Sequence, residues 1–136
     1  MRPVLVDTNA YVALLRGDAE VAEVFGRADR LYLNAVVLGE LLAGFAAGSR
    51  EAANRLELTR FVESSRVGVV PVTAETADSY ALAYASLRRK GQPIPANDLW
   101  IAASALEHGL ALLSLDAHFA QVDGLRLGRR LADFLP

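Results

Sequence analysis

Short apolar runs alternate with longer helical segments along this chain, and the alternation restricts the fold more than any other feature of the sequence. Each run is bounded by polar or turn-forming residues, which predicts strands at 3–6 (PVLV), 31–33 (LYL), 67–72 (VGVVPV) and 110–114 (LALLS). Strands that alternate with helices form a parallel sheet that helices cover on both faces. The sequence therefore predicts an α/β fold with a small, mostly parallel central sheet.

Helical patterns occupy the segments between these runs. Apolar periodicity and capping residues predict helices at 10–17, 19–28, 36–48, 49–65, 74–90 and 97–108. Asp18 and Thr73 precede two of them as caps, and Gly91 and Gly109 follow two of them as stop signals. Since no repeat, low-complexity tract or linker interrupts the pattern, we expect residues 1–136 to form a single domain.

The composition argues against secreted and membrane proteins. The absence of cysteine rules out disulfides and thiolate metal sites, and it is compatible with a reducing cytoplasm. The apolar stretch 31–48 is short for a membrane span and contains a central acid and three glycines. Asp7 and Asn9 interrupt the apolar run near the N-terminus, so no signal peptide is expected.

Four of the sixteen acidic residues occupy unusual positions, whereas most of the others lie on mixed, charge-rich helical faces. Asp7 directly follows the first predicted strand, and Asp116 comes two residues after the fourth. Asp98 lies in the first turn of an apolar helix, and Glu40 lies in the middle of another with no Arg or Lys one turn away. Singly, a strand end, an Asx turn or the helix dipole explains each of the three aspartates.

Taken together, these acids indicate a metal site. Ligands of parallel α/β sheets bind outside the carboxyl ends of the strands, where Asp7 and Asp116 are expected. Glu40 and Asp98 lie on helices that could present them to the same crevice. Carboxylates that converge raise each other's pKa unless cations are present, and a cluster of carboxylates and water suits Mg²⁺ or Mn²⁺.

The motifs around these acids resemble those of a known family. The segments VLVDTNAYVALL, LGELLAG, ANDLWIAA and LLSLDAHF, in this order, are similar to the four acidic motifs of PIN-domain ribonucleases. Within that family the chain resembles the VapC-type toxins of bacterial toxin–antitoxin pairs. The resemblance covers essentially the whole chain and implies a PIN-like three-layer α/β/α fold, with residues 1–136 as a single PIN domain.

The resemblance also implies roles for individual residues. Asp7 and Asp98 would be the principal metal ligands, Asp116 would complete the site, and Glu40 would bind the metal or orient the attacking water. Hydrogen-bond partners of these acids are expected among their neighbours Thr8, Asn9, Asn97 and Ser114. Two positions depart from the usual pattern: Asn34 where a hydroxyl is more common, and Ser114 where threonine is more common.

The implied activity is Mg²⁺- or Mn²⁺-dependent hydrolysis of RNA by an endoribonuclease, which leaves 5′-phosphate and 3′-hydroxyl ends. The implied partners are the RNA substrate, a cognate VapB-like antitoxin and a second copy of the chain in a homodimer, all in the cytoplasm. The apolar residues Leu38, Leu41, Leu42 and Phe45 are predicted to provide the surface for the antitoxin or for the homodimer.

Several alternatives stay open on sequence grounds. A receiver-type signalling domain also gathers acids at strand ends, but it needs a lysine at a strand end, and the only lysine here is Lys90, in a charged run. A catalytically silent PIN-like binding module is another alternative.

Two histidines and two basic clusters are further candidates for roles at the site. His118 is a candidate for proton transfer, whereas His108 is interpreted as a helix-end residue. The basic clusters 87–91 and 126–130 are candidates for RNA phosphate contacts or plain surface.

Overall fold

The strands of the protein form one parallel sheet. In the computed structural model, which describes Met1 and residues 3–136, the strand order is β3-β2-β1-β4-β5 and every neighbouring pair is parallel. The strands are β1 (Val4–Val6), β2 (Leu31–Asn34), β3 (Val67–Val70), β4 (Ala111–Leu113) and β5 (Leu127–Gly128). The four predicted strands are confirmed. The third ends before Pro71, because proline has no N–H to donate to a neighbouring strand.

Six α-helices cover the sheet within the described residues: α1 (Thr8–Leu15), α2 (Ala19–Arg27), α3 (Ala35–Ala47), α4 (Glu51–Glu63), α5 (Ala74–Lys90) and α6 (Ala96–His108). Short 3₁₀ helices span Ala117–Gln121 and Leu131–Phe134. Gly91 and Gly109 adopt positive φ after α5 and α6, as predicted for stop signals. The first helix begins at Thr8, two residues earlier than predicted, because Asp7 caps it by accepting a hydrogen bond from the Thr8 N–H.

The sequence did not predict the last strand of the sheet. The two residues of β5 extend the sheet beyond β4, and Leu127 pairs with Leu112. Gly128 packs so closely against the buried ring of Phe134 that a Cβ there would lie 2.6 Å from its Cζ atom. The segment 126–130, which the sequence suggested as a basic surface cluster, is therefore partly a sheet edge that anchors the C-terminus.

Both faces of the central strands are buried. All side chains of β1 and β4 are inaccessible to solvent, and because successive strand residues point to opposite faces, layers of packing must lie on either side. Within the part of the chain that the structure describes, no helix combines the length and apolar character that crossing a bilayer requires.

The strand order places a topological switch point beside β1. The chain leaves β1 to form β2 and β3 on one side of it, and then returns to form β4 and β5 on the other side. The crossovers therefore diverge between β1 and β4, which opens a crevice outside the carboxyl ends of these two strands.

Asn34, one of the two atypical positions, links β2 to α3 and α6. Its Oδ1 atom accepts a hydrogen bond from the Val37 N–H at 2.9 Å and caps α3, while its Nδ2 atom donates to the hydroxyl of Ser104 on α6 at 3.0 Å. The side chain is fully buried. A hydroxyl at this position could cap the helix, but it is too short to bond Ser104 as well.

We expect Asn34→Ala to lower the free energy of unfolding by about 1–3 kcal/mol, because it removes the cap and leaves the Ser104 hydroxyl unpaired. Asn34→Ser should lose less, since serine restores the cap. Urea denaturation of the three proteins measures both effects. Equal stability of wild type and Asn34→Ala would contradict this account of how β2 is joined to α3.

Candidate active site

An acid-lined cavity occupies the crevice at the carboxyl ends of β1 and β4. It has a volume of about 690 Å³, and all four acids singled out in the sequence line it. The described residues around it are Asp7, Thr8, Asn9, Val12, Ala13, Arg16, Gly17, Asp18, Glu40, Asp98, Leu115 and Asp116. Carboxylates that are up to 109 positions apart in sequence are thus brought to one place by the topology of the sheet.

Asp7 forms the deepest part of the site. Its residue surface is only 3% exposed, and its carboxylate accepts hydrogen bonds from the Thr8 N–H at 2.8 Å and from the Ser114 hydroxyl at 2.7 Å. Burial raises the pKa of Asp7 to about 6, and the negative charges of Asp98 and Glu40 add to this shift. The two hydrogen bonds oppose the shift without cancelling it.

Glu40 reaches the cavity from the middle of α3, which explains an acid in an apolar helix. The Thr8 hydroxyl donates to its Oε1 atom at 2.6 Å, and the Asn97 amide faces its Oε2 atom at 3.4 Å. Both partners are neutral groups. They fix the direction of the carboxylate and leave its negative charge in the cavity.

Asp98 and Asp116 lie nearer to the mouth, with His118 between them. Their side chains are 22% and 42% exposed. His118 Nε2 lies 2.9 Å from Asp98 Oδ2, and His118 Nδ1 lies 2.9 Å from Asp116 Oδ1. Burial raises the pKa of Asp98; the neighbouring His118 lowers it, and the charges of Glu40 and Asp116 raise it.

Asn9 and Ser114 hold the loop that carries Asp116. The Asn9 Oδ1 atom accepts a hydrogen bond from the Leu115 N–H at 3.0 Å, and its Nδ2 atom lies 3.3 Å from the Ser114 hydroxyl oxygen. That hydroxyl oxygen also accepts a hydrogen bond from the Asp116 N–H at 3.0 Å. Serine at position 114 supplies the hydroxyl that these contacts need, and no contact requires the additional methyl group of threonine.

The donor set fits a divalent cation. Five carboxylates line the cavity, and Arg16 is the only cationic side chain among the described residues around it. One ligand atom from each of Asp98, Asp116 and His118 lies within 4.8 Å of the other two. The His118 Nε2 atom is buried and has no hydrogen-bond partner within the described residues, although it lies 2.9 Å from Asp98 Oδ2. The carboxylates suit Mg²⁺ and Mn²⁺, and an imidazole nitrogen is a ligand for transition-metal ions.

Sequence reasoning did not single out Arg16 or Asp18, although a signal for Arg16 was available. Thr8, Val12 and Arg16 are spaced four residues apart on α1, so they share one face of the helix, and all three line the cavity. Asp18 was interpreted only as the cap of α2, and it does accept a hydrogen bond from the Val21 N–H at 3.0 Å.

Lys90 is not part of the site. Its ammonium group donates a hydrogen bond to the Gln121 carbonyl oxygen at 2.9 Å and forms an ion pair with Asp123. The receiver-type alternative requires a lysine beside the acids, and the cavity has none among its described lining residues. This alternative is therefore not supported.

The fold and the crevice define an α/β protein with a cluster of carboxylates at the switch point of its sheet, and comparisons with known proteins narrow this class. Residues 4–125 match the family model described as PIN domain, so the chain belongs to the PIN-domain family. The ribonuclease VapC of Rickettsia bellii is 32% identical over 114 residues, which cover 82% of this chain and 84% of that protein.

Solved structures agree with this assignment. The DNA-bound VapBC structure from Salmonella typhimurium contains a chain with a TM-score of 0.82 and 24% identity, covering 94% of this chain and 98% of that one. VapBC-5 of Mycobacterium tuberculosis, a member of the VapBC family of toxin–antitoxin systems, gives a TM-score of 0.73 and 27% identity over 94% of this chain and 97% of that one. The predicted PIN-like three-layer fold and the resemblance to VapC proteins are confirmed.

The raised pKa of Asp7 predicts how the stability of the metal-free protein depends on pH. Between the ordinary pKa of 3.8 and the folded-state pKa of about 6, the folded protein binds more protons than the unfolded chain. The free energy of unfolding should therefore fall as pH rises through this window, by about 3 kcal/mol from this group. In EDTA, Asp7→Asn should melt higher than wild type at about pH 8, and adding Mg²⁺ should stabilise wild type more than the variant.

Asp29→Asn is the matched control, because Asp29 is exposed and precedes β2, at the amino ends of the strands rather than at the carboxyl ends where the acids lie. Asp123 and Asp133 have lowered pKa values. Stability therefore changes with their protonation only below about pH 4, which is outside the measured range. Thermal melts between about pH 5 and pH 8 test the prediction. A similar pH dependence of stability in wild type and Asp7→Asn would show that Asp7 does not carry the effect.

Proposed function

We propose that this protein is a metal-dependent endoribonuclease, the toxin of a toxin–antitoxin pair, and that it hydrolyses RNA phosphodiester bonds at the acid-lined cavity. The observation that carries the proposal is the convergence of Asp7, Glu40, Asp98 and Asp116 on one cavity whose described lining offers a single arginine as counter-charge. A phosphodiester could not approach these carboxylates unless a cation neutralised them. The ribonuclease activity named for the VapC relatives supports the same reaction.

The metal would be held by Asp98 and Asp116 near the mouth, with Asp7 below them and Glu40 beside Thr8 and Asn97 in the same cavity. When bound, Mg²⁺ or Mn²⁺ supplies an activated water and stabilises the charge that develops on the phosphoryl and leaving oxygens. Our proposal assigns the protein side chains to binding and orientation, since hydrolysis of this kind needs no nucleophilic side chain.

Glu40 is suited to orient the attacking water. Its two oxygens receive hydrogen bonds from Thr8 and Asn97, which determine the direction of the carboxylate. A carboxylate has further lone pairs after accepting these bonds, so it can still accept a proton or a hydrogen bond from water. Asp7 contributes a negative charge at the base of the cavity, and the hydrogen bond from Ser114 orients its carboxylate.

Two arginines can hold the RNA backbone on either side of the acids. Arg16 lines the main cavity, and Arg129 lines a smaller cavity of about 210 Å³ that shares Leu115 and Asp116 with it. Much of the basic cluster 87–91 has structural contacts instead, since Lys90 pairs with Asp123 and Arg88 donates to the Tyr84 hydroxyl at 3.2 Å. We expect the action to take place in the cytoplasm, where RNA and a co-synthesised partner are both present.

Purified Asp7→Asn and Asp98→Asn variants should lose RNA cleavage by roughly 10²–10³-fold or more, because each removes a charge that helps to hold the cation. Asp29→Asn should cleave as wild type does. The assay uses single-stranded RNA with Mg²⁺ or Mn²⁺ and EDTA as the metal-free control. Activity retained in both site variants would refute the assigned site. Wild-type protein that cleaves RNA with neither Mg²⁺ nor Mn²⁺ would favour the silent binding module.

Two of the four residues that the sequence suggested for the antitoxin surface are buried. Leu41 and Phe45 are only 2% and 7% exposed, so they belong to the core rather than to a free surface, while Leu38 and Leu42 are partly buried. The reason is that α3 packs against α1, α4 and α6, which covers most of its apolar face. Leu41 and Phe45 instead form the floor of a groove of about 450 Å³ that Thr8, Arg16 and Glu40 share with the acidic cavity.

We propose that an amphipathic segment of a VapB-like antitoxin lies in this groove and extends a basic side chain toward Glu40. The VapBC complexes among the structural relatives support a partner of this kind. A segment in the groove would cover Arg16 and reach the acids, so binding and inhibition would be coupled. A homodimer is also proposed, since the same surface could be used by a second copy.

Co-expression with the product of the adjacent reading frame should give a stable complex and relieve growth inhibition by the toxin. Replacing Leu15, which lines the groove but not the acidic cavity, by Arg should weaken the complex, because a charge would be placed in an apolar contact. Light scattering reports the stoichiometry of the free protein and of the complex. The partner assignment would be wrong if the two proteins neither co-purified nor changed the growth of the host.

A further inference from the structure

His118 contacts two acids of the site, and the roles proposed so far do not use it. Its Nδ1 atom lies 2.9 Å from Asp116 Oδ1, and its Nε2 atom lies 2.9 Å from Asp98 Oδ2. The Nε2 atom is shielded from solvent and makes no hydrogen bond within the described residues. Such buried polar atoms are rare in folded proteins and call for an explanation such as an absent ion.

We propose that His118 Nε2 is a direct nitrogen ligand of the divalent ion, beside the carboxylates of Asp98 and Asp116, and that this ligand makes the site prefer Mn²⁺ to Mg²⁺. The inference deepens the proposed nuclease function and rests on it. It replaces an all-oxygen site, which the four acidic motifs suggested, by a mixed nitrogen and oxygen site.

The spacing of the atoms agrees with a shared ion. Adjacent ligands of an octahedral ion at about 2.1 Å are about 3 Å apart. The 2.9 Å between His118 Nε2 and Asp98 Oδ2 is close to that separation, and Nε2 has no hydrogen-bond partner among the described residues. The lone pairs of a neutral imidazole and a carboxylate repel at this distance, and a cation bound to both turns the contact into a favourable one.

Asp116 orients the imidazole for this role. Imidazoles that bind metals almost always direct their other ring nitrogen to a carboxylate, a carbonyl or water, which sets the tautomer. Here Nδ1 faces Asp116 Oδ1, and the same oxygen accepts a hydrogen bond from the backbone N–H of His118 at 3.1 Å. The ring also packs against Phe119, with the ring centres 4.8 Å apart. These contacts direct Nε2 toward Asp98.

The ligand type determines the preference for the metal. Carboxylate and water ligands suit Mg²⁺, whereas imidazole nitrogen suits transition metals. Mn²⁺ accepts carboxylate oxygens and binds nitrogen more readily than Mg²⁺ does. A site with one imidazole and two carboxylates therefore favours Mn²⁺, while the same site without the imidazole should discriminate less.

The test uses the fact that the chain has two histidines. His108 is the control, because it lies in the last turn of α6, about 15 Å along the helix from Asp98 in the first turn. Pulsed EPR of bound Mn²⁺ is recorded for unlabelled protein and for protein labelled with ¹⁵N-histidine. We expect the spectrum of wild type and of His108→Ala to change with the isotope, and the spectra of His118→Ala and His118→Gln not to change.

Calorimetric titrations with Mn²⁺ and Mg²⁺ complete the test. His118→Ala should bind Mn²⁺ about tenfold more weakly than wild type and bind Mg²⁺ with little change. The inference is overturned if wild type shows no histidine nitrogen coupling to Mn²⁺. It is also overturned if His118→Ala binds Mn²⁺ as tightly as wild type or more tightly, since the imidazole would then be idle or would compete with the ion.

The failure of this inference can be distinguished from the failure of the proposed function. If Mn²⁺ binds without histidine coupling and Asp98→Asn loses that binding, the metal-dependent nuclease stands and the nitrogen ligand falls. If wild type binds neither ion, the proposed function falls as well. Circular dichroism checks that the His118 variants are folded, and the isotope comparison on wild type and His108→Ala decides the question without any His118 variant.

Discussion

The buried carboxylate of Asp7 constrains the rest of the site. Asp7 directly follows β1 and caps α1 by accepting a hydrogen bond from the Thr8 N–H. It also accepts a hydrogen bond from the hydroxyl of Ser114, which directly follows β4. One side chain therefore determines where the first helix begins and how the two strands at the switch point are joined. The protein keeps this carboxylate almost out of contact with water, and its pKa of about 6 shows that burial opposes its charge.

Neutral hydrogen-bond donors orient the carboxylates of the site. Because these donors carry no positive charge, the carboxylates keep the negative charge that would attract a cation. Ser114 donates to Asp7, and Thr8 donates to Glu40. Arginine or lysine in these places would orient the carboxylates equally well, but it would also neutralise them. Hydroxyl donors separate the two effects, because they fix direction and leave the negative charge in the cavity. In the proposed function, the unfavourable crowding of charge in the metal-free protein would be the source of affinity for a cation.

Local signals in the sequence were sufficient for most of the fold. The strands at 31–33 and 110–114 and the helix stops at Gly91 and Gly109 each depend on neighbouring residues, and all were predicted correctly. The two-residue strand β5 was missed because its pairing with β4 is a long-range contact without a hydrophobic run to mark it. The burial of Leu41 and Phe45 was missed for a related reason, since apolar residues surround α3 and only tertiary packing decides which of them are buried.

The cavity was predictable because parallel strands bring their carboxyl ends to one edge, whereas the details within it depend on contacts made by three consecutive residues. Asp7 receives the Ser114 hydroxyl, Thr8 donates to Glu40 on α3, and Asn9 accepts the N–H of Leu115 in the loop after β4. That loop in turn carries Asp116 and His118, whose ring faces Asp98 on α6. Asp7, Glu40 and Asp116 are therefore positioned, directly or through one intermediate, by contacts of the three residues 7–9 at the start of α1. A sequence shows the three residues side by side, but only the folded sheet shows that each one reaches the part of the site that it orients.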